Sequence, residues 1–118
     1  IEVGKEATDL ITRSKNAGGR VICVGTTTLR CLESISKANG GVVKPFAGET
    51  DIFIYPGFKF TVADALITNF HLPRSTLLLL VSAFGGYEKI QKAYEYAIRK
   101  KYRFYTYGDS MFISPNSK

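Results

Sequence analysis

The chain has 118 residues, of which 45% are hydrophobic and 13% aromatic, so it can bury one modest core and leaves little room for long disordered tracts. Sixteen lysines and arginines against ten acidic residues give a formal net charge of +6, which suits a polyanionic partner without identifying one. No apolar run approaches the roughly 20 residues of a membrane-spanning helix, and no signal peptide precedes Ile1, so we expect a cytoplasmic protein without a membrane partner.

The chain opens on Ile1, without a methionine, and we therefore expect it to be the interior of a longer polypeptide. Its two cysteines, Cys23 and Cys31, lie in apolar surroundings and have neither the spacing nor the neighbours of zinc ligands. Reduced, buried thiols and the absence of a metal are the expectation.

Helical and strand-like patterns alternate along the first third of the chain. A helical period over residues 6–17 ends at Gly18-Gly19, and the run 20–24, apolar from Val21 onward, favours a strand buried on both faces, as in a parallel sheet. Gly25 ends that strand. Thr26 then opens a second helix, which breaks at the sequence Asn-Gly-Gly of residues 39–41.

The middle of the chain is β-like. Residues 51–55 and 58–62 are rich in aromatic and branched side chains around the turn dipeptide Pro56-Gly57, and residues 65–70 form a third strand-like run. Pro73 then forces a new direction, and helices are predicted over 75–84 and 87–101, followed by a strand-like run at 102–107. This order predicts an α/β fold, a sheet with partly parallel strands flanked by helices, with residues 21–24 as its central strand.

The start of the second helix is the first candidate site. Backbone N–H groups and the positive end of the helix dipole at Thr26, Thr27 and Thr28 attract phosphate or carboxylate, and Arg30 in the first turn adds a positive charge. The segment lacks both the three glycines of a dinucleotide fingerprint and the lysine of a phosphate-binding loop. Simple helix capping by the threonines is the alternative.

The junction after the third strand-like run is the second candidate. It holds the only histidine of the chain, His71, which is either an acid/base group or a structural histidine. Asn69 can fix a polar substrate edge and Arg74 can pair with an anion, while Ser75 and Thr76 can cap the next helix and still reach a ligand. In an α/β sheet such a strand-to-helix junction lies where ligands usually bind.

The third candidate is the basic and aromatic C-terminal region. Tyrosines alternate there with the cations Lys89, Lys92, Arg99 and Lys100, a mixture that suits RNA phosphates and unpaired bases but equally fits a solvated helix face. Asp109, in a Gly-Asp-Ser turn, is either a turn former or an acid/base residue.

Six segments of the chain together resemble one enzyme family. They are VGTTTLR (24–30), FIYPGF (53–58), TNFHLPRSTL (68–77), VSAF (81–84), YRF (102–104) and YGDSMF (107–112). In this order they closely resemble the C-terminal part of the S-adenosylmethionine:tRNA ribosyltransferase-isomerases of queuosine biosynthesis. The resemblance implies that residues 1–118 are the C-terminal part of the main α/β domain of a longer two-domain enzyme, without its inserted β-rich domain.

The resemblance also implies a reaction. The ribosyl moiety of S-adenosylmethionine would be transferred to the aminomethyl group of 7-aminomethyl-7-deazaguanine at the tRNA wobble position and isomerised, giving epoxyqueuosine, adenine and methionine. S-adenosylmethionine would be a substrate, with no separate cofactor and no metal. The full-length enzyme is expected to be a monomer, whereas this piece alone is expected to be inactive and able to self-associate through open sheet edges.

On these motifs the resemblance suggests roles for individual residues. His71 and Asp109 are the acid/base candidates. The substrate-binding candidates are Thr26, Thr27, Arg30, Asn69, Arg74, Ser75 and Thr76, and the tRNA-binding candidates are Lys89, Lys92, Arg99 and Lys100. A non-enzymatic RNA-binding module and a nucleotide-binding α/β domain are the alternatives.

Overall fold

The computed structural model describes residues 2–48, 54, 58–70, 76–102 and 109–115, and these residues form nine helices and strands. In chain order they are β1 (Glu2–Val3), α1 (Lys5–Asn16), β2 (Ile22–Val24), α2 (Thr26–Ala38), β3 (Phe46–Ala47), β4 (Ala65–Asn69), α3 (Thr76–Gly85), α4 (Tyr87–Arg99) and β5 (Ser110–Ile113). The predicted α/β class and all four predicted helices are confirmed, each helix to within two residues at either end.

The main sheet has three strands in the order β2-β4-β5. Strand β2 pairs with β4 in parallel, with Val24 opposite Ile67, and β5 returns antiparallel to β4 with Ser110 opposite Asn69. The sheet is therefore partly parallel, as predicted. A separate two-stranded antiparallel pair joins β1 to β3.

The prediction that residues 21–24 form the central strand is wrong within the described part of the chain. Strand β4 is central and β2 lies at the edge of the sheet, because β5 folds back beside β4 and not beside β2. Only Cys23 of β2 faces the core, whereas Ile22 and Val24 are 44% and 67% exposed. The apolar run indicated burial on both faces, and one of those faces is open here.

Residues 58–62, predicted as a strand, form irregular structure that precedes β4. The backbone N–H groups of Thr61, Val62 and Ala63 donate to the Glu33 carboxylate at 2.7, 2.9 and 3.0 Å, so a side chain of α2 occupies the donors that a strand would offer to a neighbour. Most of the other predicted run, 51–55, its turn at Pro56-Gly57, and the run 102–107 beyond Tyr102 lie outside the described residues.

A second set of contacts, made by α1 and by the segment before β2, holds the start of β4. Lys15 of α1 donates through Nζ to the Val62 carbonyl at 2.6 Å and lies 3.5 Å from the Asp64 carboxylate. That carboxylate in turn accepts from the Val21 N–H at 2.8 Å, while the Asp64 N–H donates to the Val21 carbonyl at 2.7 Å. The entry to β4 is thus held by α1, by α2 and by the segment leading into β2.

The core lies between the sheet and the helices α2, α3 and α4. Its largest buried side chains include Leu29 of α2, Leu66 of β4 and Phe84 of α3, with Ile90 and Tyr94 from the inner face of α4. Ile98 is 58% exposed, because the helical period carries it to the edge of that buried face. Within the described ranges, no helix is both long and apolar enough to cross a bilayer.

Candidate functional site

A polar cleft opens at the edge of the sheet where the parallel strands β2 and β4 both end. Carboxyl ends of parallel strands meet at one edge, and ligands of open α/β sheets usually bind there. The cavity has a volume of about 420 Å³. It is lined by Val24, Gly25, Thr26, Thr27, Thr28, Ile67, Thr68, Asn69 and Ser110.

One wall of the cleft is the start of α2. Gly25 is the residue before the helix, and its φ of +92° is a conformation that glycine adopts readily and other residues rarely do. Its N–H donates to the Ile67 carbonyl at 2.8 Å, which ties the end of β2 to β4. Because a glycine occupies the capping position, the threonines do not act as the N-cap residue, and Thr27 and Thr28 are exposed at the cleft.

The other wall is formed by the end of β4 and the start of β5. Asn69 is half-buried and pairs in register with Ser110, and the Phe70 N–H donates to the Asp109 carbonyl at 3.2 Å. The predicted residues Thr26, Thr27 and Asn69 therefore lie around one cavity. Asp109 directly precedes the lining residue Ser110 in the chain. Sequence reasoning missed Ser110 as a lining residue, although it had noted the Gly-Asp-Ser turn.

Two apolar side chains complete the cleft. Val24 is 67% exposed and Ile67 is half-buried, and both line the cavity beside the threonines. A ligand here would meet polar groups together with a small apolar surface. The apolar run of β2 was the signal for an apolar wall, but the sequence analysis interpreted the run as a strand buried on both faces.

Arg30 lies one turn beyond the cleft along α2. Its Nε is buried, and no residue in the described part of the chain accepts a hydrogen bond from it. A buried donor without an acceptor typically costs about 1–3 kcal/mol, so an acceptor is expected from elsewhere. An anionic ligand group would supply one, and the predicted role of Arg30 in substrate binding stays a prediction.

Several predicted site residues lie outside the described residues. They are His71, Arg74 and Ser75, which precede α3. Thr76 is the first residue of α3, but its side chain is not described. Their assigned roles stay predictions.

The cysteines do not offer a nucleophile. Burial, followed by the charges of Glu33 and Asp64, raises the pKa of the Cys23 thiol to about 11. Burial likewise raises the pKa of Cys31. Because the thiolate is the reactive form, both groups are poor nucleophiles at neutral pH, and both are free and buried as expected.

The predicted RNA-binding cations lie on the outer face of α4. Lys89, Lys92 and Arg99 are exposed and, with Tyr96 between them, recur at spacings of three and four residues, which places them in one stripe. Lys100 follows directly as the C-terminal cap. In the described part of the chain no carboxylate forms a salt bridge with any of these four cations. The stripe opposes the buried face of α4.

Comparison with known proteins identifies the family of this chain. A family model described as queuosine biosynthesis protein matches residues 1–113. The chain belongs to this family. The resemblance inferred from the six sequence segments is thereby confirmed.

Named relatives agree with the family model. The chain is 57% identical over 114 residues to proteins named S-adenosylmethionine:tRNA ribosyltransferase-isomerase from Coxiella burnetii strains Dugway 5J108-111 and RSA 493, covering 97% of this chain and 33% of theirs. The solved structure of an S-adenosylmethionine tRNA ribosyltransferase from Thermotoga maritima superposes with a TM-score of 0.87 at 46% identity, covering 95% of this chain and 39% of that one. The chain thus spans about a third of the length of these queuosine biosynthesis relatives.

Proposed function

We propose that this chain is part of an enzyme that transfers the ribosyl moiety of S-adenosylmethionine to 7-aminomethyl-7-deazaguanine at the tRNA wobble position and isomerises it to epoxyqueuosine. The observation that carries the proposal is the 57% identity, over 97% of this chain, to relatives named S-adenosylmethionine:tRNA ribosyltransferase-isomerase. Adenine and methionine are the other products, S-adenosylmethionine is a substrate, and the enzyme needs no further cofactor. Its tRNA partner implies a cytoplasmic location.

The cleft offers suitable groups for S-adenosylmethionine. The reaction needs a base to remove a proton beside the sulfonium, an acid to help adenine leave, and donors that hold the methionine carboxylate. The first-turn N–H groups at Thr26 and Thr27 and the helix dipole suit the carboxylate, an interaction worth about 0.3–1 kcal/mol at such a terminus. Asn69 can orient a polar edge of the substrate, as expected from the sequence.

Proton transfer is assigned to residues at the end of β4. Asp109 is next to this end, through the bond from the Phe70 N–H to its carbonyl, and His71 follows Phe70 in the chain. A histidine titrates near neutral pH, which suits an acid or base in this reaction. Arg30, Arg74, Ser75 and Thr76 remain proposed substrate-binding residues.

Isotope labelling of S-adenosylmethionine tests the reaction type directly. With the full-length polypeptide and tRNA that carries the aminomethyl base, label in the ribose should appear in the tRNA, while label in the sulfonium methyl group should leave with free methionine. Adenine release should match the ribose incorporated. Methyl label in the tRNA would identify a methyltransferase instead, and binding of tRNA without any dependence on S-adenosylmethionine would favour the alternative of a non-enzymatic RNA-binding module.

The stripe on α4 and the C-terminal cap residue Lys100 are proposed to contact tRNA phosphates. Replacing Lys92, Arg99 and Lys100 with glutamine should weaken tRNA binding at low salt and reduce the slope of log affinity against log salt by about 2 to 3, since each lost phosphate contact removes about 0.7 to 0.9. Affinities measured between 50 and 200 mM salt give this slope.

A matched variant controls for net charge. Arg20, Lys44 and Lys59 are also exposed but lie outside α4, and their replacement by glutamine removes the same three charges. This control should retain most of the salt slope. Equal losses in both triple variants would mean that α4 has no special role in tRNA binding.

A further inference from the structure

The turn after α4 contains an unusual backbone conformation. Lys101 has φ +61°, and in the described part of the chain it is the one residue other than glycine with a positive φ. The Lys101 N–H donates to the Ile98 carbonyl at 3.1 Å and the Tyr102 N–H to the Ala97 carbonyl at 2.8 Å. These two bonds form a Schellman motif, whose left-handed position is usually glycine. A lysine there is strained, and strain of this kind often accompanies function.

The turn brings Tyr102 back against two other rings. Its centroid lies 5.8 Å from that of Tyr96 at 90°, and 5.8 Å from that of Phe70 at 76°. Phe70 is buried and directly follows Asn69 of the cleft, whereas Tyr96 and Tyr102 are 45% and 40% exposed. We call Tyr96 and Tyr102 the aromatic corner. It connects the outer face of α4 to the end of β4 that carries the candidate site.

Three consecutive cations, residues 99–101, adjoin the aromatic corner in the chain. The Arg99 guanidinium lies 5.6 Å and the Lys100 ammonium 5.9 Å from the centre of the Tyr96 ring. With the exposed Lys101 they form a run of three positive charges, and no salt bridge neutralises any of them within the described ranges. Lys101 therefore adds a third positive charge to this run, which glycine at that position would not.

We propose that the aromatic corner is the stacking platform for an unpaired nucleobase of RNA, with Arg99, Lys100 and Lys101 contacting the adjoining phosphates. The inference rests on the proposed tRNA substrate and deepens it, because it assigns recognition of single-stranded nucleotides to one corner of α4. Stacking on an exposed ring requires a base face that a duplex does not offer, whereas phosphate contacts alone do not distinguish the two. The position of Phe70 beside Asn69 places this platform next to the cleft.

Lys101→Gly separates a structural from a functional role, because the two roles predict opposite changes. In the full-length polypeptide, glycine relieves the strain and should raise the melting temperature by about 2 °C. The same change should weaken binding of a single-stranded RNA oligonucleotide about threefold to fivefold at 0.1 M salt and lower the salt slope by about 0.7. A stability gain with unchanged RNA affinity would mean that Lys101 only ends the helix. That result would overturn the proposed contact of Lys101 with RNA phosphates.

Ring variants test stacking itself. Tyr102→Leu should lower affinity for the single-stranded oligonucleotide about tenfold, while affinity for an RNA duplex of equal length stays unchanged. Tyr102→Phe keeps the ring and should retain binding. Tyr87→Leu, at the other end of α4 and 59% exposed, is the matched control and should leave both affinities unchanged.

The outcomes distinguish this inference from the proposed function. If ribosyl transfer is observed but Tyr102→Leu leaves single-stranded RNA binding unchanged, or weakens duplex binding equally, the inference is overturned and the proposed function stands. If polyglutamate competes as well as RNA of the same charge, the corner is a site for an acidic protein, and the inference again fails. Absence of any tRNA binding by the unaltered polypeptide would contradict the proposed function itself.

Discussion

Glutamine in place of Glu33 is expected to lower the free energy of unfolding by about 2 to 4 kcal/mol, although it changes the side-chain volume very little. Glu33 is 1% exposed, and its two oxygens accept from three consecutive backbone N–H groups, those of Thr61, Val62 and Ala63. In glutamine one oxygen becomes an amide that can only donate. At least one of these three backbone donors then loses its acceptor and faces another donor.

Urea unfolding of the parent and variant measures this difference, and Glu95→Gln is the matched control. Glu95 is exposed on α4 and forms no salt bridge with a described residue, so its replacement should change stability by no more than about 0.5 kcal/mol. Equal stability of Glu33→Gln and the parent would show that the contacts of Glu33 with residues 61–63 contribute nothing to the fold.

Alanine in place of His71 is expected to lower the turnover of the full-length enzyme by about 10² to 10⁴, the usual loss when a general acid or base is removed. His71 follows Phe70 and precedes Pro73 in the chain, and it is the acid/base candidate that the sequence predicts. Affinity for tRNA should stay nearly unchanged, because the lost group acts on the reacting atoms and not on the RNA backbone.

Two measurements make the His71→Ala result interpretable. Its melting temperature must match that of the parent, since an unfolded variant also loses turnover. The pH profile of turnover should in addition change its shape, because one acid/base group has been removed. A well-folded variant with near-normal turnover would contradict the acid/base role of His71 and leave Asp109, tested as Asp109→Asn, as the better candidate.

Local sequence patterns predicted the helices well because their signals are local. Helical periodicity, together with glycines such as Gly18 and Gly40 at the ends, gave the helix boundaries to within two residues. The prediction of a strand over residues 58–62 was wrong because the contacts that decide its structure are not local. Its alternation of Phe58, Phe60 and Val62 is typical of a strand, but the backbone donors at its end bond to Glu33, which lies far away in the sequence and carries no local signal.

The candidate site was predictable in part. Thr26, Thr27 and Asn69 were predicted as candidates at two separate strand-to-helix junctions, and the structure places them around one cavity. Ser110 was not predicted at the site. It reaches Asn69 through the antiparallel register of β5, and residue periodicity does not determine which strand β5 joins. The edge position of β2 was missed for the same reason, since an apolar run reports composition and not strand order.

The parallel pairing of β2 with β4 also has a consequence for folding kinetics. The two walls of the cleft come from segments roughly 40 residues apart, and such non-local pairing forms slowly because the loop must close before contacts compensate its entropy. Helix hairpins such as α3 and α4 can form earlier, but no cleft exists until β4 has docked on β2. A ligand that binds there therefore selects the fully docked state, and it should slow the global unfolding of this unit more than local fraying of α4.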